Sequence, residues 1–209
     1  MKSPPTFRKY FVNGLRNCYP EDADKMIEEL DMHFSAISDD TKFAAKSSNP
    51  MDKRLDFTAC FLALIKTLEN RGVAYDEIRQ VCLDITYAYV APKNPFHAQY
   101  KKLLPVMLTF GPVHFLLRKL QKKLSVRGHD DGFRASIIFD KEETYGLGYG
   151  VDIHECGICK LFAKHNAFKY SSILCEVDKI TTSFAGLEMI RTGTIATGAD
   201  KCDFRYRRR

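Results

Sequence analysis

The chain has no tryptophan, no long uncharged apolar run and no even set of cysteines, and each absence removes a class of protein. The longest uncharged apolar stretch, residues 103–117, is interrupted by Pro105, Gly111 and Pro112. A membrane-spanning helix needs about 20 uninterrupted apolar residues, so none is expected here. Residues 1–10 carry Lys2 and Arg8 but two prolines and no apolar run, which excludes the pattern of a signal peptide. Seven cysteines, an odd number, are scattered through 209 residues. Small secreted disulfide scaffolds pair theirs evenly in shorter chains, so free thiols in a reducing, cytoplasmic compartment are the expectation. A phosphate-cradling loop is also missing. Gly146, Gly148 and Gly150 alternate with Leu147 and Tyr149, but no helix start and no Lys-Ser/Thr pair follows. These glycines mark a bulge or a close approach of backbone.

Charge separates further classes. The formal net charge of +6 is concentrated at residues 118–127 and 205–209. Nucleic-acid readers interleave such charge with exposed aromatics or carry it on a known motif, and the sequence has neither. Both runs read as solvated faces, and residues 205–209 are expected to be mobile beyond Tyr206 and dispensable. The expected partner is a small-molecule substrate, with no nucleic acid and no membrane.

What is present builds a core. Apolar residues make up 45% of the chain, and 15 Phe with 10 Tyr replace the bulk that tryptophan would supply. That is enough for one compact domain with two parts. Residues 1–125 form a helical part. Helices are expected over 21–37 and over 49–70, the latter opened by Asn49-Pro50 and closed by Gly72; a third covers 75–90. Residues 94–124 are a helical stretch that Pro105 and Pro112 must kink or divide. Residues 132–206 form a cysteine-bearing α+β part. It contains strands at 133–139 and 149–154, short helices at 157–164 and 171–184, and a hairpin of 187–195 with 201–206 turning at 197–200. The fold class is therefore α+β, with N-terminal helices followed by an antiparallel β-sheet and two short helices inserted between its strands.

Chemistry is expected in the second part. Cys60 and Cys82 lie on apolar helical faces and read as core. Cys156 and Cys159, by contrast, open a helix, where the dipole favours thiolate. Cys175 and Asp178 share one helix face. Cys202 lies on the last strand beside Asp203 and Arg205, whose directions alternate. Two readings follow. Cys156, Cys159, Cys175 and Cys202 could close a tetrahedral site for zinc or another soft metal. Alternatively, one thiolate acts on a substrate that Asp178 orients. His154 and His165 read as hydrogen-bonded side chains rather than ligands.

Three segments carry a resemblance: Cys156-Gly-Ile-Cys-Lys-Leu-Phe162, Leu174-Cys-Glu-Val-Asp178, and the run from Arg191 to Tyr206 with its Thr-Gly repeats and Cys-Asp-Phe ending. In this order they resemble the L-2-amino-thiazoline-4-carboxylic acid hydrolase family. Ala199, where a second glycine is expected, and the basic tail depart from the pattern. The resemblance implies hydrolytic opening of a cyclic isothiourea on the way to cysteine. Such a substrate needs attack at its amidinium-like carbon, for which Cys175, Asp178 and Cys202 are the catalytic candidates. Its cationic nitrogens call for a carboxylate such as Asp178 or Asp203, and its own carboxylate for an arginine fork from Arg191 or Arg205. The alternative is a non-catalytic small-molecule or metal-binding domain using the same cysteines. A third reading, an interaction protein acting through residues 1–125, requires an exposed apolar face there. The sharpest expectation is that Cys156, Cys159, Cys175, Asp178 and Cys202 converge.

Overall fold

The computed structural model describes residues 5–209. Helices come first: α1 (Pro5–Cys18), α2 (Ala23–Ser38), α3 (Arg54–Asn70), α4 (Tyr75–Val90), α5 (Pro95–Met107) and α6 (Gly111–Leu124). A four-stranded sheet follows, made of β1 (Arg134–Ile138), β2 (Gly150–Glu155), β3 (Leu187–Ile190) and β4 (Cys202–Arg208). The helices α7 (Gly157–Lys164) and α8 (Ser171–Phe184) lie between β2 and β3. The sheet is antiparallel with spatial order β1-β2-β4-β3.

Local chemistry sets the boundaries. The Asn49 side chain accepts the Met51 N–H at 3.0 Å and Pro50 occupies the first turn, so a short 3₁₀ segment (Pro50–Lys53) leads directly into α3. Buried side chains cover every face of α3 from Leu55 to Leu68, which makes it the central helix. Gly72 and Gly186, both at positive φ, turn the chain out of α3 and α8. At Gly150 an added Cβ would stand 2.9 Å from the Phe204 carbonyl oxygen, the close backbone approach expected between two strands.

The predicted 94–124 stretch is divided rather than merely kinked. Pro105 is accommodated inside α5, and the break falls at residues 108–110 with Pro112 in the first turn of α6. The two helices meet at 79°. No single helix among the described residues is long and apolar enough to cross a membrane.

Two expectations about the C-terminal end are corrected. The first hairpin strand is shorter than 187–195: it stops at Ile190, and Ile195–Thr197 forms a 3₁₀ turn within a longer connection. The basic tail is a strand. Leu187 pairs with Arg208, Glu188 with Arg207, and the Arg209 N–H donates to the Gly186 carbonyl at 3.2 Å. Pairing with β3, reinforced by the Arg207–Glu188 ion pair at 2.8 Å, supplies the anchor that apolar side chains do not.

The two faces of the sheet differ. Ala135, Ile137, Val151, Ile153, Cys202 and Phe204 share one face and join the main core with α3, α7 and α8. The opposite face carries polar pairs, among them Ser136 with His154 at 2.8 Å and Arg205 with Asp152 at 2.8 Å. Alternation along β4 therefore decides which C-terminal residues can reach the core side.

A candidate active site where two cavities join

Between the sheet and the helices lies a cavity of about 730 Å³. Its walls are mostly apolar: Phe7 from α1, Phe57 from α3, Tyr89 from α4, Leu120 and Leu124 from α6, Val177 from α8, and Val151, Phe204 and Tyr206 from the sheet. A second cavity of about 20 Å³, room for roughly one water molecule, adjoins it. Arg54, Ile153, Ile158, Leu174, Asp178 and Phe204 line both.

The small cavity collects the residues expected to converge. Cys156 and Cys159 reach it from the start of α7, Cys175 and Asp178 from one face of α8, and Cys202 from β4. Three separated elements bring them together because each turns an apolar face to the same core. Arg54, in the first turn of α3, completes the group. Its guanidinium stands 2.5 Å from the Asp178 carboxylate. About 45% of its side-chain surface is uncovered, and that surface looks into the large cavity. The Asp178 charge holds this guanidinium firmly protonated. Sequence reasoning missed Arg54. The available signal was a cation in a first helical turn, where the dipole disfavours one unless an anion stands nearby.

Three of the thiols, Cys156, Cys175 and Cys202, are held in the protonated form rather than activated. The Cys159 side-chain hydrogen bond, together with burial, pushes the Cys156 thiol well above its ordinary value. Burial pushes Cys175 up to about 11, opposed by the nearby Arg191 charge. Burial also raises Cys202, although its sulfur accepts the Ile195 N–H at 3.2 Å. The thiolate expected at the α7 N-terminus is thus corrected for Cys156: its hydrogen bond with Cys159, together with desolvation, outweighs the dipole of an eight-residue helix. Among the described residues no group of three or more His, Cys, Asp or Glu is gathered so as to hold a metal ion. The cysteines line the cavity wall from different sides, and the tetrahedral thiolate arrangement drawn from their spacing is not formed.

The remaining candidates divide by strand direction. Asp203 points away from both cavities and accepts from the Thr192 N–H at 3.0 Å and the Gly193 N–H at 2.9 Å, tying down the turn after β3. Arg205 is buried on the polar face, bonded to Asp152 at 2.8 Å and paired with Glu143. Neither lines a cavity, because odd positions of β4 face away from Cys202 and Phe204. Arg191 stands behind the site: it donates to the Cys175 carbonyl at 3.4 Å and lies 5.1 Å over the Phe204 ring. His154 and His165 are hydrogen-bonded elsewhere, to Ser136 and to Asp40 at 2.9 Å. Cys60 and Cys82 are core residues, as their helical faces indicated.

In this α+β fold the Arg54–Asp178 pair thus stands on the wall of a large, mostly apolar pocket, and the four thiols line the small cavity beside it. Residues 53–206 match the model of the L-2-amino-thiazoline-4-carboxylic acid hydrolase family, and the chain belongs to that family. The matched range begins one residue before Arg54 and ends at Tyr206, so it contains every residue of the small cavity. No curated protein and no solved structure matches the chain.

Proposed function

We propose that the chain is a hydrolase that opens a small cyclic C–N/C–S substrate of the 2-amino-thiazoline-4-carboxylate type, at the wall shared by the two cavities. The observation that carries the proposal is the convergence of Arg54, Asp178 and the four cysteines inside the range matched to the family. A zwitterionic substrate suits an ion pair that it can enter: its carboxylate exchanges onto the Arg54 fork and its amidinium onto Asp178. The small cavity has the volume for one attacking water. Addition of that water to the amidine carbon and rupture of the ring carbon–sulfur bond leave the water oxygen as the new carbonyl oxygen. One of its protons ends on the freed sulfur; the other leaves to solvent, because the ring nitrogen of the amidinium already carries its proton. A thiol that keeps its proton, as Cys175 does to about pH 11, is suited to donate towards the departing sulfur rather than to attack.

Incubation of the purified protein with the thiazoline acid, read by mass detection of carbamoyl-cysteine, tests the proposal. Turnover is expected, and Cys175→Ser is expected to lower it roughly 100-fold or more with the fold retained. Absence of product from the wild-type protein would remove the hydrolase reading.

One observation favours a second reading. The main cavity is in the size range, about 300–1,000 Å³, that encloses a ligand larger than one five-membered ring, and its walls are largely apolar. A non-catalytic small-molecule-binding domain would use Arg54 as the anchor for an acidic head and the apolar walls for the body. It predicts a raised Tm with apolar carboxylic acids, abolished in Arg54→Met, and no turnover.

A further inference from the structure

The chain contains no acidic residue between Asp84 and Asp130, yet this stretch holds Lys93, Lys101, Lys102, Arg118, Lys119, Lys122, Lys123 and Arg127. The excess is larger than the net charge of the whole molecule. The same stretch forms α5 and α6 and contains the main group of exposed large apolar side chains. Phe96, Tyr100, Leu103 and Met107 follow the spacing of one helical face along α5, and they are 82%, 51%, 52% and 45% exposed. Phe110 at the elbow, then Phe115 and Leu116 in α6, are each close to 60% exposed. The inward side of α6 is used differently: Leu120 and Leu124 line the large cavity.

The order of residue types along the bent pair is informative. Apolar side chains crowd the elbow, where the helices turn by 79°, while exposed lysines flank it, Lys102 on one arm and Lys119, Lys122 and Lys123 on the other. Lys101 turns back to the Val90 carbonyl and Arg118 to the Phe139 ring. Lys119 lies 4.7 Å over the Phe115 ring, so charge and apolar surface are interleaved rather than segregated. A solvated charge run does not need seven uncovered apolar residues, and water alone penalises them. Single-stranded nucleic acid would find lysines here, but Leu103, Met107 and Leu116 offer no planar surface for bases. Lysines around an apolar wedge match a bilayer surface, where anionic headgroups meet the cations and the acyl boundary takes the apolar side chains.

We propose that the α5–α6 elbow docks on an anionic membrane surface, lying in the interface without spanning the bilayer. The reading is independent of the hydrolase proposal, because no exposed residue of the elbow belongs to the cavity walls.

Co-sedimentation of the full chain with phosphatidylcholine vesicles, with and without phosphatidylserine, tests it. The protein is expected to pellet with the anionic vesicles and to remain in the supernatant with the neutral ones. Binding should weaken about tenfold or more at high salt, and equally in K119E/K122E/K123E. F115S/L116S changes only exposed side chains and is expected to lose binding with an unchanged circular dichroism spectrum. The charge-reversal variant supplies the reading if the serine variant does not fold. A wild-type protein that stays in the supernatant with anionic vesicles overturns the proposal. Binding to vesicles and to a single-stranded polynucleotide alike, unaffected by F115S/L116S, also overturns it and identifies a general polyanion face.

Discussion

Cys175 and Asp178 stand one turn apart on α8 and line the same cavity, yet their surroundings differ. Asp178 meets Arg54 at 2.5 Å. Cys175 meets apolar walls, and burial lifts its thiol from 9.0 to about 11 despite the nearby Arg191. The sign of the consequence is fixed. The native thiol keeps its proton through the range in which an unfolded one would lose it, so this group withdraws stability as pH rises from about 9 towards 11. Alkylation of native protein with iodoacetamide at pH 8, located by peptide mass mapping, should modify the exposed Cys18 first. Cys175 should react appreciably only as pH approaches 11. Modification of Cys175 at pH 8 at the rate of denatured protein would show that it is an activated thiolate after all. At this scale the sequence indicated which thiols line one cavity, since spacing along α7 and α8 fixes their faces. Their ionisation was not legible, because desolvation depends on what packs around them.

At the scale of elements, β4 separates the two kinds of information most clearly. Its alternation was visible, and alternation alone places Cys202 and Phe204 on the core face with Asp203 and Arg205 behind it. Its length was not visible, because four arginines within residues 205–209 carry no apolar periodicity. Pairing with β3 recruits them through backbone hydrogen bonds, which are indifferent to side-chain type. Deletion of residues 207–209 should therefore lower stability by roughly 1–2 kcal/mol, measured by chemical denaturation. An unchanged denaturation midpoint would show that the end of this strand contributes nothing.

The whole molecule depends on a junction between its helical and sheet parts. Asn49 and Asp52, both fully buried, hold the start of β1. The Asn49 amide donates to the Phe133 carbonyl at 2.8 Å, and Asp52 accepts the Phe133 N–H at 2.8 Å and the Ser47 hydroxyl at 2.5 Å. Gly128 and Gly132 leave the space this needs, since a Cβ at Gly132 would stand 2.7 Å from an Asp52 oxygen. Asp52→Ala strands the buried Phe133 N–H and frees the half-buried Ser47 hydroxyl, and should cost roughly 1–3 kcal/mol. Asp52→Asn, which keeps an acceptor for the Phe133 N–H, should cost less. Equal losses in thermal unfolding would argue that the carboxylate charge, not the hydrogen bonds, matters.

Although the first helix, Pro5–Cys18, was not anticipated, the amino-acid order alone indicates the later helices, the α+β class, the antiparallel strands and the faces on which Cys156, Cys159, Cys175, Asp178 and Cys202 lie. These follow from periodicity, capping and turn residues, which act over a few positions. Tertiary contacts alone pair Asp178 with Arg54, 124 positions away, keep Cys156, Cys175 and Cys202 protonated, and set the small cavity beside a large apolar one. Each depends on desolvation and on contacts between distant elements, and neither is written in the spacing of neighbouring residues.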